Sequence, residues 1–260
     1  MDYLLNLINE LPFFMVVFFR VGGMLLFAPI FGNTNVPLSV RVAISLMMAI
    51  ILFSNVDKGQ FVLPSTVIPY AFIVLKEIAI GAIIGFAASM VFAAITMAGN
   101  LIGNQMGLDT AEVFDPTSET GEDEQSISVF YNMITIFIFL MINGHHWFIK
   151  TTAQSFEIIP LGGFHYTTVT LVKILAIFKS FFIMGIKISA PSLVVLLITV
   201  VVLGLMTKAA EQINVFAVAY QIKILIGFVL LGVSLPFVVN AIKSYMLPFE
   251  KSMISLLSTM

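Results

Sequence analysis

Apolar residues run along this chain in long, nearly unbroken blocks rather than in strict alternation. The blocks lie at about 11–31, 38–54, 67–103, 127–149, 170–206 and 213–241, each near or above the roughly 20 residues that carry a helix across a bilayer. Backbone in lipid must satisfy its own hydrogen bonds, which predicts a helix for every block. Two blocks exceed one straight span. The 67–103 block reads as one long tilted helix or as a helical hairpin. The 170–206 block carries Pro191, and loss of an i→i−4 bond there predicts a kink or break near Ser189–Ala190. The expected class is an all-α integral membrane protein of about six to eight hydrophobic helices, some long, kinked or paired in hairpins.

The connections divide a single membrane domain, residues 1–260, into four parts. N-terminal helices occupy 1–55, and a long helix or hairpin with a polar loop occupies 67–126. A central helix with a polar connection follows at 127–170, and C-terminal helices fill 170–260. GNTNVP (32–37) and NVDKGQFVLPS (55–65) are turn-rich breaks, NGHHW (143–147) and PLGGFHY (160–166) bracket a less hydrophobic region, and 104–126 is the most polar stretch. The N-terminus, MDYLLNLINELPFF, has no Lys or Arg before Arg20, so the first apolar block is expected to be retained rather than cleaved as a signal peptide. Loop cations such as Lys58, Lys150 and Lys208 are too thinly spread to fix an orientation.

Composition sharpens the class and removes others. The chain is 60% hydrophobic and 10% charged, with a mean hydropathy of +1.08, and a soluble fold could not cover that much apolar surface. A net charge of −2 gives no bulk basic field for nucleic acid. The absence of cysteine excludes disulfides and thiolate chemistry.

Charge inside the apolar blocks is the first functional signal. Arg20, Lys76, Glu77, Lys173, Lys179, Lys187 and Lys223 all lie there, and a charge at the bilayer centre costs about 2.5–3.5 kcal/mol on insertion scales. At roughly 100° per residue, Lys173, Lys179 and Lys187 fall within one sector of roughly 120°. Snorkelling to an interface suits Lys173, near the helix start. The spread of the three over about 21 Å favours a polar or protein-covered face. Lys76 and Glu77 are sequence neighbours and point about 100° apart, so each needs a partner on another helix or another subunit.

Small residues and the polar stretch form the second signal. Gly81, Gly85, Ser89 and Ala93 are spaced by four, as are Gly99, Gly103 and Gly107, which predicts close helix packing. The following GNQMGLDTAEVFDPTSETGEDE leaves helical character. Asp115–Pro116 favours a turn, and seven carboxylates in 109–124 predict a hydrated distal part. The proximal part, with Gln105, Met106, Leu108, Val113 and Phe114, is apolar enough to pack in a constriction. An ordinary acidic surface loop is the competing reading.

Catalytic constellations are weak. His145 and His146 are adjacent rather than i, i+4, HExxH is absent, and no phosphate-binding or nucleophile-elbow motif is present. No EF-hand spacing occurs in 109–124. No catalytic residue, metal site or cofactor is expected, and an enzyme is not.

The order of several motifs resembles one family. They are RVGGMLLFAPIFGNTNVPLSVR, with Arg20, Pro29, Gly32, Pro37 and Arg41, and the central AGNLIGNQMGLDTAEVFDP. Next come GHHWFIKTTAQSFEIIPLG, with His145, Ser155, Phe156 and Pro160, then Pro191, then EQINVFAVAYQIKI, with Gln212, Asn214, Phe216 and Lys223. Nearly end to end, the chain resembles the FliR family of flagellar biosynthetic proteins, with Glu211 where the family carries proline. The resemblance implies a single-copy subunit of the type III protein export gate in the bacterial inner membrane, at the flagellar basal body. It implies assembly with FliP and FliQ homologues, association with an FlhB homologue, and passage of unfolded flagellar export substrates. It also maps a pore plug onto about 106–124, with plug or gate residues Gly103, Gln105, Met106, Gly107, Leu108, Val113, Phe114, Asp115 and Pro116. Subunit or helix packing would fall to Arg20, Pro29, Pro37, Arg41, Lys76, Glu77, Gly81, Gly85, Gly99, Lys173, Lys179, Lys187, Pro191, Gln212, Asn214 and Lys223. The alternative is a secondary transporter for a small solute, which calls for inverted repeats and paired midplane acids.

Overall fold

Uninterrupted apolar sequence becomes helix wherever the computed structural model describes it, which is residues 2–32, 36–56, 61, 63–64, 66–108, 126–165, 167–209 and 215–260. The helices are α1 (Asp2–Phe27), α2 (Leu38–Phe53), α3 (Val67–Met106), α4 (Ser126–Met141), α5 (Gly144–Ile158), α6 (Thr168–Ala209), α7 (Val215–Met246) and α8 (Phe249–Leu257). No strand occurs among the described residues. Four stretches are long and apolar enough to cross a membrane: Glu10–Phe27, Val67–Met106, Thr168–Met206 and Val218–Leu257. The α4–α5 pair adds a fifth if taken as one broken span.

Local chemistry explains where helices stop. Between α4 and α5, Asn143 takes a left-handed φ of 57°, which Asn tolerates better than most residues, and Gly144 restarts the helix. The 127–149 block is therefore two helices, not the single central helix expected. Helix α5 ends at Ile158, and its C-cap Ile159 is extended at φ −119°, the conformation that the following Pro160 favours. Pro37, at φ −55°, precedes α2; with 16 residues, α2 falls short of the roughly 20 that a span requires.

Two long blocks are resolved differently from their expected breaks. Helix α3 is one continuous helix of 40 residues, which removes the hairpin alternative. Helix α6 runs through Pro191 without a break; the proline stands on an exposed face, and membrane helices tolerate such interruptions.

The chain forms two units. The first comprises Met1–Met90, Asn143–Phe178 and Pro248–Met260. Its core holds Val17, Val21, Met24, Ile80, Ile84 and Leu256. There α1 and α3 lie backbone to backbone. A Cβ on Gly23 would stand 2.6 Å from the Ile78 carbonyl oxygen, and one on Gly81 would overlap the Arg20 carbonyl. The four-residue glycine spacing is thus a packing surface for α1. The segment after α5 is tied to α8 and the residues beyond it. The His165 N–H donates to the Met260 carbonyl at 2.8 Å, the Thr170 hydroxyl to the Thr259 carbonyl at 2.6 Å, and the Lys173 ammonium to Ser255 Oγ at 2.9 Å.

The second unit comprises Val91–Ile142 and Lys179–Leu247. Its interior includes Ile95, Ile102, Tyr131, Met184, Leu196 and Val238. A Cβ on Gly99 would sit 2.6 Å from Ser128 Cα, and one on Gly185 would sit 2.8 Å from the Ala94 carbonyl oxygen. Small residues again set the closest helix approaches.

Candidate functional site

Two places concentrate the residues singled out by sequence, one in each unit. In the first unit, α1 presents Arg20 and α3 presents Glu77, both fully buried. Arg20 Nε donates to Glu77 Oε2 in a charge-assisted bond. The other carboxylate oxygen, Oε1, accepts from the Gly162 N–H at 2.8 Å. Arg20 Nη1 donates to the Ser155 carbonyl at 2.9 Å and the Ile159 carbonyl at 3.0 Å. Its guanidinium carbon stands 4.2 Å above the centre of the Phe156 ring. The pair therefore fastens α1, α3, the end of α5 and the turn after it at a single point. Sequence reading required Glu77 to find its partner on another helix or another subunit, and that partner is Arg20 of α1. It did not identify Ser155, Ile159 and Gly162 as the surrounding shell, since three of those contacts use backbone atoms that no side-chain pattern reveals.

A buried, mutually neutralised pair of this kind holds elements in register and leaves no free acid or base for chemistry. Arg20 Nη2 has no hydrogen-bond partner among the described residues. The neighbouring turn after α1 is also unusual. Phe31 N–H bonds the Pro29 carbonyl at 2.9 Å, with Ile30 at φ +73°, the rarer positive-φ form of a γ-turn. Pro29 is buried there, whereas Pro37 is exposed. Arg41 Nε donates to the Val36 carbonyl at 3.0 Å.

In the second unit the site is the end of α3. Gly107 N–H bonds the Asn104 carbonyl at 3.0 Å, and Leu108 N–H bonds the Gly103 carbonyl at 3.2 Å. With Gly107 at φ +84°, this is a Schellman C-cap, in which glycine takes the left-handed position at little cost. Just before it, Met106 is fully buried and packs on Gly227 of α7. Just after it, Leu108 lines a cavity of about 530 Å³ with Ile127, Phe130, Phe228, Leu231, Gly232 and Leu235. Gly103 is buried and Gln105 partly buried. Met106 and Leu108 thus place an apolar side chain on each side of the turn at Gly107. Val113, Phe114, Asp115 and Pro116 lie outside the described residues, as do Gln212 and Asn214.

The basic residues separate into two kinds. Lys173 is bonded to Ser255. Lys76, Lys179 and Lys187 are exposed and Lys223 is partly buried, and no described residue forms an ion pair with any of them. The His145 and His146 rings lie 4.3 Å apart. Among the described residues no group of three or more His, Cys, Asp or Glu is placed to hold a metal ion.

Comparison with known proteins places this geometry in a family. Residues 11–248 match the model of the bacterial export proteins, family 1. The flagellar biosynthetic protein FliR of Bacillus subtilis is 31% identical over 234 residues, covering 87% of each chain. FliR of Escherichia coli is 27% identical, over 84% of this chain and 82% of its own. The surface presentation of antigens protein SpaR of Shigella flexneri is 28% identical, over 81% of this chain and 80% of its own. Since the family match takes in Arg20, Glu77, the α3 C-cap and all the long apolar helices, the chain belongs to the bacterial export proteins, family 1.

Proposed function

We propose that this chain is a subunit of a flagellar type III protein export gate in the bacterial inner membrane. It assembles with FliP and FliQ homologues, with an FlhB homologue alongside, around a passage for unfolded flagellar subunits. It acts as a structural part of that passage and performs no covalent chemistry. The observation that carries the reading is the similarity to FliR, 31% identity over 87% of both chains. The flagellar system is preferred to the injectisome on the FliR relatives, SpaR being 28% identical. The arrangement of polar groups supports a passive role. The one described ion pair that is fully buried is spent on fastening helices, and many large apolar side chains stand exposed on the isolated chain, as expected of a component covered by lipid and neighbours.

Within that reading, residues 106–124 are the pore plug. The fixed C-cap at Gly107 delivers the segment from a set position, with Met106 anchored and Leu108 at an apolar cavity. Two measurements test the proposal. Native mass determination of the tagged chain, isolated in mild detergent from its own cells, is expected to give a large complex containing two further small hydrophobic proteins; a stable monomer would refute the gate reading. Deletion of 110–122 is expected to preserve that complex while raising ion leakage in reconstituted vesicles, and wild-type leakage would refute the plug.

A further inference from the structure

A recess of the first unit has apolar walls throughout. It is a cavity of about 220 Å³ among α1, α3, α6 and α8. Ile83 of α3, Ile177 of α6 and the fully buried Leu256 of α8 line it. Phe27, Phe86 and Phe178 line it as well, and they are 48%, 42% and 49% exposed. Phenyl rings from three helices therefore stand where the cavity meets the surface. Water is a poor occupant, since a buried water needs about two to four polar partners, and apolar cavities of about 150 Å³ stay dry and take apolar guests. No polar side chain lines this one.

One end of the cavity differs in chemistry. Ile174 and Leu256 of the lining adjoin Lys173 and Ser255 in sequence. The Lys173 ammonium donates to the Ser255 carbonyl and to Ser255 Oγ, the latter at 2.9 Å. Lys173 precedes Ile177 by one turn on the same face of α6, about 6 Å along the helix. An ammonium carries three N–H donors, and among the described residues Ser255 alone accepts from this one. Lys251 stands exposed one turn before Ser255 on α8, which puts a second cation on that face. Helix α6 begins at Thr168, so Lys173 lies near the start of an apolar span, from where a lysine reaches the membrane boundary.

We infer that this cavity is an anionic phospholipid site. One acyl chain enters between Phe27, Phe86 and Phe178, and the phosphate of the same molecule meets Lys173 beside Ser255, with Lys251 adding charge. Both ends of the site select this occupant. Free phosphate suits the ammonium but not the apolar walls. A zwitterionic lipid fills the walls equally well but gains less at the lysines, because its headgroup carries a cation of its own. The inference requires a chain that spans a bilayer and is independent of the export-gate reading.

The test uses the intact complex from its own cells, transferred into phosphatidylcholine bilayer discs that hold a small fraction of a lipid with a photoactivatable diazirine on one acyl chain. Illumination should attach a phosphatidylglycerol probe to peptides carrying Phe86 or Phe178 about fivefold more than a phosphatidylcholine probe, the preference that one lysine supplies near a membrane surface. Lys173→Gln should make the two probes equal, and Lys173→Arg should keep the preference. Equal labelling of the wild type by both probes is ordinary contact with bulk lipid and overturns the inference. Absence of labelling at these peptides means that polypeptide covers the recess, and overturns it as well. If Lys173→Gln fails to fold, competition on the wild-type complex decides: excess unlabelled phosphatidylglycerol should suppress the labelling more than excess phosphatidylcholine, and equal suppression overturns the inference.

Discussion

Glu77→Gln isolates the energetic consequence of the buried pair. The substitution keeps the shape and an oxygen for the Gly162 N–H but removes the charge opposite Arg20. Both side chains are fully buried, so the guanidinium is left without a counter-ion in a site that water does not reach. Breaking such a pair costs about 3–5 kcal/mol. Arg20 retains bonds to the Ser155 and Ile159 carbonyls at 2.9 and 3.0 Å and its place over Phe156, and the aromatic contact contributes about 2 kcal/mol when desolvated. The expected loss is therefore near the lower limit, about 3 kcal/mol. Arg20→Met should cost at least as much, since it removes the counter-ion of Glu77 and the Arg20 bond to the Ile159 carbonyl, while the Ser155 carbonyl keeps the Ile159 N–H at 2.9 Å. The double variant Arg20→Met/Glu77→Gln should lose less than the sum of the singles by about 2 kcal/mol or more, because no isolated charge remains. The assay is reversible unfolding in mixed detergent micelles, followed by the fluorescence of Trp147, the single tryptophan of the chain, which lies in α5, the helix whose far end meets Arg20. A loss below about 1 kcal/mol for Glu77→Gln, or additive singles, would refute the claim that this pair fastens the first unit.

Three further outcomes follow from the geometry. Gly99→Ala places a Cβ 2.6 Å from Ser128 Cα; since backbone cannot yield cheaply, the same titration should show a loss of about 1–3 kcal/mol. Gly107→Ala, at φ +84°, should cost about 1–2 kcal/mol and speed hydrogen exchange at the Gly107 and Leu108 amides, while unchanged exchange would contradict the C-cap. Glu250→Gln breaks a 2.6 Å bond to Lys150, whose side chain is 59% exposed, and should change stability by less than about 1 kcal/mol, falling further with added salt.

The all-helical membrane class was legible because it rests on block length and hydropathy alone. Junctions were less so, for separate physical reasons. Nothing in hydropathy distinguishes a 40-residue helix from a hairpin. That α3 continues depends on its glycines meeting neighbouring backbone, and not on their propensity to turn. The break between α4 and α5 was written in Asn143–Gly144, but two residues disappear in a window wide enough to find a span. Pro191 argued for a break by removing a hydrogen bond; the exposed position it takes on α6 is a tertiary fact, and the helix persists. At the end of α3 the three glycines shared one spacing but not one purpose. Gly99 admits Ser128, whereas Gly107 supplies a left-handed angle.

The ionisable residues show why the site was only partly legible. Arg20 and Lys187 look alike in sequence, each a cation within an apolar block. Among the described residues they differ in whether a carboxylate stands within reach. The described part of the first unit holds Asp2, Glu10, Glu77, Glu157 and Glu250, and its deepest cation is neutralised internally, with backbone carbonyls completing the shell. The described part of the second unit holds lysines alone, and the unit's eight acidic residues, seven in 109–124 and Glu211, lie outside the described residues. A chain selected to stand alone gains nothing from exposed ammonium groups on an apolar helix, since each resists burial in lipid. A chain selected to join others can carry half of an ion pair and leave the remainder to its neighbour, which turns the cost of misplacement into partner specificity. The buried Arg20–Glu77 pair shows the principle from the matched side: a cation in an apolar block is tolerated where another element supplies its counter-charge.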